Sequence, residues 1–202
     1  MGGSTLTVAV MSAVLIPAGN SWMASVREAS ACADATRSGG AWACYGLGVA
    51  DFATAAEWMG EALPEGSGVM TRKPRLFYVL SGVPSRVFPF DDDPAVQLTE
   101  ADRLGARYVL IDRWDGLAGR YVGGALQRYP QAFCSVRAFG TREAPSYLIG
   151  IRPRAERGTG APSAGDVQIA GCTSDFALAG APGVGYSSST SMRIPLLDGL
   201  DP

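Results

Sequence analysis

The chain opens on an apolar stretch. Residues 6–16 are almost entirely aliphatic, and the 21 residues from Leu6 to Val26 carry no charge, Arg27 being the first ionisable side chain. That length is close to the roughly 20 residues that cross a bilayer as a helix. The second half, with Pro17, Asn20 and Ser21, is more polar. Three readings stay open: a membrane anchor or the end of one, an uncleaved export signal, and a buried apolar element. A secretory signal wants a basic n-region, which residues 1–4 do not offer. Trp22 suits an interfacial position at the outer end of a span.

Helical and strand periods then alternate. Ser21 is placed to cap a helix through Ala35, with Trp22, Met23, Val26 and Ala29 as its apolar stripe. Ser38-Gly39-Gly40 stops it. Asp51 is the next predicted N-cap, and Phe52, Ala55, Ala56, Met59 and Leu63 follow helical spacing up to Pro64-Glu65-Gly66. Residues 68–71 read as a short buried strand, 74–80 as a helical turn closed by Gly82, and 86–90 as a second strand. Asp93-Pro94 pairs an N-cap with proline at the first helical position, and that helix reaches Leu104-Gly105. Residues 107–111 form an unbroken β-rich run. Residues 117–129 read as a helix ending at Pro130, and 133–139 with 147–151 as two strands joined as a hairpin.

Strands alternating with helices, closed by a hairpin, predict an α/β domain of three layers with a mostly parallel sheet. The short, continuously apolar strands fit a sheet covered on both faces. Right-handed crossovers put the strand ends Thr71-Arg72 and Asp112-Arg113 on one edge, where open α/β sheets hold ligands. The expected division is an apolar N-terminal segment over 1–20, the α/β domain over 21–152, and a tail over 153–202.

Composition narrows the chemistry. There is no histidine, which removes Ser-His-Asp and Cys-His catalysis, histidine-ligated zinc and c-type haem attachment. Seventeen basic against 19 acidic residues leave a net charge of −2, unlike the dense cationic surface that nucleic acid requires. Cys32, Cys44, Cys134 and Cys172 form no CxxC pair and no metal-ligand cluster. An even count suits two disulfides in an oxidising compartment. Of three connectivities, Cys32–Cys44 with Cys134–Cys172 is favoured, because each bond clamps a loop-rich terminal region onto the core; four reduced thiols are the alternative.

The order of Ala56-Glu57-Trp58-Met59, the segment from Leu63 to Val69, the segment from Arg72 to Tyr78, Ser81-Gly82, and the segment from Gly105 to Leu110 with Asp112 resembles a known arrangement. It is similar to the extracytoplasmic C-terminal α/β domain of bacterial polytopic glycosyltransferases, the mannosyl- and aminoarabinose-transferase-like class that uses polyprenyl-phosphate sugars. The resemblance covers about residues 21–152. It implies a place on the periplasmic side of the inner membrane, with residues 6–16 as the end of the last membrane helix. It also implies that catalysis belongs to acidic residues in a loop between membrane helices. No catalytic residue is carried over to this chain, and no cofactor or metal is expected.

Asp91-Asp92-Asp93 has the look of a DxD metal motif, yet at the start of a helix its simpler role is capping. Arg72, Lys73, Asp112 and Arg113 are the candidate ligand-binding residues, suited to a phosphate or carboxylate. Their alternative is strand-end charge, with an Arg72–Asp112 ion pair. Gly46-Leu47-Gly48 and Gly123-Gly124 lack the strand–GxGxxG–helix setting of a dinucleotide site. Trp114, Tyr121 and Tyr129 read as the apolar side of a helix and its lead-in.

The tail, rich in Gly, Ala, Ser and Pro, buries too little apolar surface to offset its ordering entropy alone. It is expected to order by wrapping over another protein, with Phe176, Leu178, Tyr186, Met192, Ile194, Leu196 and Leu197 as anchors. Folding back on its own domain is the alternative. Together these features predict a non-catalytic accessory subunit that docks within a membrane protein complex, a photosynthetic or respiratory assembly being one kind of host. The runner-up is a piece of a polyprenyl-phosphate-sugar glycosyltransferase, and a third reading is a binding module for an anionic small molecule.

Overall fold

The computed structural model describes residues 3–140, 145–158, 167–172 and 192–194, and the side chains of the apolar run at 6–16 lie outside that description. The chain forms two compact units, Met1–Gly46 and Leu47–Pro202. Residues 21–46 therefore group with the N-terminal segment, not with the α/β body.

The first unit is dominated by helix α1 (Gly3–Gly39), which runs through Pro17 without a break. Ser21, expected as an N-cap, is inside it, and its carbonyl accepts from the Ser25 hydroxyl at 3.1 Å. Proline removes one hydrogen bond, but long helix-forming segments on both sides propagate past a single missing bond. After α1 a 3-10 turn at Ala43–Tyr45 follows, and the disulfide Cys32–Cys44 ties it to the helix with Cα atoms 4.7 Å apart. Among the described residues no helix is long and apolar enough to cross a membrane.

The second unit begins with α2 (Leu47–Ala62). Asp51 sits a turn inside α2 instead of capping it, because the chain turns into the helix at Gly46, whose φ of 85° only glycine adopts at ease. The elements that follow are β1 (Gly68–Met70), α3 (Pro74–Ser81), β2 (Ser85–Arg86), α4 (Pro94–Leu104), β3 (Ala106–Ile111), α5 (Leu117–Arg128), β4 (Phe133–Phe139) and β5 (Ser146–Ile151). As the sequence predicts, Asp93 caps α4, its Oδ1 accepting from the Ala95 N–H at 2.9 Å. The second strand is shorter than the expected 86–90. Pro89 has no N–H to extend the ladder, and its carbonyl accepts from Gln97 Nε2 at 2.8 Å.

The five strands lie in the order β2-β1-β3-β5-β4. β1 pairs parallel with both β2 and β3, while β5 runs antiparallel between β3 and β4. Four strands thus share one direction and only β5 opposes it. Successive strand residues face opposite layers. Val69, Tyr108, Leu110 and Leu148 pack with Phe52, Ala56, Met59 and Phe77 of α2 and α3. Met70, Val109, Ile111 and Ile149 pack with Ala101, Val122 and Leu126 of α4 and α5. The three layers follow from this two-sided burial.

Two short strands from the tail, β6 (Val167–Ile169) and β7 (Met192–Ile194), pair antiparallel. Val167, Ile169 and Ile194 are buried in the α4/α5-side core, while Gln168 and Arg193, paired in register, are exposed. This corrects the sequence expectation for Ile194, an anchor toward a partner by composition but a core residue of its own domain once period-two pairing turns it inward. Met192 lies in β7. Phe176, Leu178, Tyr186, Leu196 and Leu197 lie outside the described residues. Beyond β6 the chain runs along β4. The Ser135 N–H donates to the Ala170 carbonyl at 2.8 Å, the Cys172 N–H donates to the Ser135 carbonyl at 3.0 Å, and Cys134–Cys172 forms a disulfide beside them.

Candidate functional site

The connection leaving β1 enters α3 on one face of the sheet, and the connection leaving its parallel neighbour β3 enters α5 on the other. Two adjacent strand ends whose chains diverge to opposite faces open a crevice between them, the usual ligand position in open α/β sheets. Thr71-Arg72-Lys73 and Asp112-Arg113-Trp114-Asp115 occupy these ends.

Asp112 is 1% exposed. Its Oδ1 accepts from the Trp114 N–H at 3.0 Å, which folds the segment after β3 into a tight turn. Its Oδ2 is buried and has no hydrogen-bond partner among the described residues, and the fully buried Thr71 Oγ1 is in the same state. Buried polar atoms are nearly always paired, and two such atoms thus stand without a protein partner at neighbouring strand ends.

Charge around them is arranged through Asp115. Its Oδ2 lies 3.2 Å from Arg72 Nε, near enough for an ion pair though not aligned as a hydrogen bond, and 3.9 Å from Lys73 Nζ. Its Oδ1 accepts from the Leu117 N–H at 3.2 Å, at the start of α5. Lys73 Nζ stands 4.3 Å above the Trp114 ring and the Arg72 guanidinium 5.2 Å above Phe90, cation–π contacts that hold both cations across the crevice. Arg113 is half-buried, and its carbonyl lies against the backbone of Gly48 at the start of α2.

Of the four sequence candidates, Arg72, Lys73 and Asp112 therefore share one neighbourhood. Arg72 pairs with Asp115 and not with Asp112. Sequence reasoning passed over Asp115, Phe90 and Thr71 as site residues. The signal for Asp115 was an acid two residues before a predicted helix start, a position suited to the helix dipole. The acidic run is split between structural jobs: Asp91 Oδ1 accepts from the Asp93 N–H at 2.9 Å, Asp93 caps α4, and Asp92 lies 3.5 Å from Arg120 on the surface. No group of three metal-ligating side chains occurs among the described residues.

Burial holds the Asp112 carboxyl above the ordinary carboxylate value; the negative charge of Asp115 adds to this, and the Trp114 N–H and the Lys73 ammonium oppose it. The folded chain thus keeps a proton that the unfolded chain releases near pH 3.9. Between that pH and the folded value the native state binds more protons, so stability falls as pH rises through the window and is level above it. Asp112→Asn removes the charged form. It is expected to raise the unfolding free energy at pH 7 by about 1 kcal/mol, with the gain vanishing below pH 4. Urea melts of both proteins at the two pH values measure this; an equal gap at both would contradict the assignment.

No family model, no curated protein and no solved structure matches this chain.

Proposed function

We propose that this protein is an extracytoplasmic accessory domain of a membrane protein complex, a docking module without a reaction of its own, joined to its host through the N-terminal helix. The observation that carries this reading is the surface of α1. Trp22, Met23 and Val26 are 66%, 46% and 43% exposed, and Val26, four residues from Trp22 and three from Met23, lies between them in one stripe of the helix. A 37-residue helix is about 55 Å long. Contiguous exposed apolar side chains on so long an element mark a surface that meets another protein or lipid.

Support comes also from the disulfides Cys32–Cys44 and Cys134–Cys172, which suit an oxidising compartment such as the periplasm. The resemblance of residues 21–152 to the appendage of polyprenyl-phosphate-sugar transferases points to the same side of the membrane. A second reading, service within such a glycosyltransferase, is favoured by one specific observation: the partly exposed cations Arg72 and Lys73 stand together at the ends of β1 and β3, the charge an anionic head group needs. Extraction from native membranes in mild detergent tests both. Recovery with membrane proteins is expected. A polytopic glycosyltransferase as the sole companion would turn the conclusion to the second reading, and recovery as a free monomer would overturn both.

A further inference from the structure

We propose that an arginine-lined cleft at the other end of the sheet binds a phosphate-bearing ligand. The cleft lies where β3 begins and the antiparallel β5 ends, away from the crevice at the ends of β1 and β3. It comprises two adjoining hollows of about 400 and 440 Å³ that share Asp102, Arg154 and Arg157; Arg107 and Arg152 complete the lining of one, and Tyr129 helps close the other. Among the described residues the lining holds four arginines and one carboxylate, in a chain whose net charge is −2.

The lone carboxylate is already engaged. Arg157 forks onto Asp102 with its two terminal nitrogens at 2.6 and 2.9 Å, and its Nε donates to the Arg152 carbonyl at 2.8 Å. This ties the segment after β5 to α4 across 55 positions of sequence and fixes the wall from which Arg152 and Arg154 emerge. Neither of these two makes an ion pair among the described residues. Two guanidinium groups without a carboxylate, beside a third that is rigidly held, offer planar donor forks of the kind that match phosphate oxygens. The Tyr129 hydroxyl adds a donor on the adjoining side, whereas the Thr99 hydroxyl already donates to the Ala95 carbonyl at 3.0 Å, and Leu98 with the Tyr129 ring gives an apolar flank for the organic part of a phosphate ester. The volume suits a phosphate with a small substituent and not a polymer.

The docking reading does not depend on this site, so each can fail without the other. The full chain is titrated calorimetrically with inorganic phosphate and, separately, with dihexanoyl phosphatidylglycerol, a soluble lipid phosphodiester. At least one is expected to bind with a Kd below about 1 mM, and Arg152→Gln/Arg154→Gln is expected to weaken it by about tenfold or more with an unchanged thermal midpoint. Tighter binding of inorganic phosphate identifies a free or monoester phosphate as the ligand; tighter binding of the lipid identifies a head group. If the double variant does not fold, the exposed Arg154→Gln alone carries the comparison. No heat from either probe, or equal binding by a folded variant, overturns the proposal.

Discussion

Replacing Cys134 and Cys172 together by alanine is expected to lower the unfolding free energy of the Leu47–Pro202 unit by about 4 kcal/mol. The bridge closes a separation of 38 residues, and the loss of loop-closure entropy from the unfolded chain for that length is of this size. Native contacts act in the same direction. Cys134 is fully buried in the α2/α3-side core, with Cys172 packed against it. The bridge also holds the 170–172 segment on Ser135, where two backbone hydrogen bonds cover the outer edge of β4. An uncovered edge strand invites pairing with other chains, so the variant is expected to aggregate on heating as well as melt earlier. For a unit of this size the midpoint should fall by roughly 8–16 °C. An unchanged midpoint would show that the tail contributes nothing to the body it lies on.

The second large effect is expected from Gly60→Ala, where two rules oppose each other. In an open helix the change from glycine to alanine stabilises by about 1 kcal/mol. At this point of α2, however, a Cβ would stand 2.5 Å from the carbonyl oxygen of Ser81 and 3.1 Å from its carbonyl carbon and Cα. Those are backbone atoms at the end of α3 and they are not free to move aside. The Ser81 hydroxyl donates to the Phe77 carbonyl at 2.7 Å and accepts from the Val83 N–H at 3.0 Å, and Phe77 is fully buried. Overpacking costs about 1–3 kcal/mol and more where the backbone must shift, so the clash wins. A net loss of about 2 kcal/mol is expected in denaturant melts. A variant more stable than the parent would mean that α2 and α3 do not approach so closely.

What could be read from the amino-acid order follows a physical divide. Asp93-Pro94 and Gly105 delimit α4 because capping and a left-handed residue act locally; Gly105 indeed takes φ 62° after the last helical turn. Residues 108–111 announce a central strand by being apolar and buried on both faces. The two strand ends of the crevice were legible too, since crossover handedness alone brings them to one edge. Long-range effects were not. Nothing near Pro17 says that the helix continues through it. The pairing of β6 with β7 joins residues 167–169 to 192–194, and three-residue strands that far apart carry too little period to be seen. Asp115 became a partner of Arg72 and Lys73 only through the turn that Asp112 makes with Trp114, a geometry that spacing does not reveal.

The most direct measurement compares the tagged full chain with its Trp22→Ser/Met23→Ser/Val26→Ser variant after extraction from native membranes in mild detergent. The parent should migrate with membrane proteins at a mass well above its own 21.0 kDa, and the variant, folded and with both disulfides intact, should be released from them. A parent chain that leaves the membrane fraction alone, at the mass of one copy, would contradict the idea that this domain works by attachment.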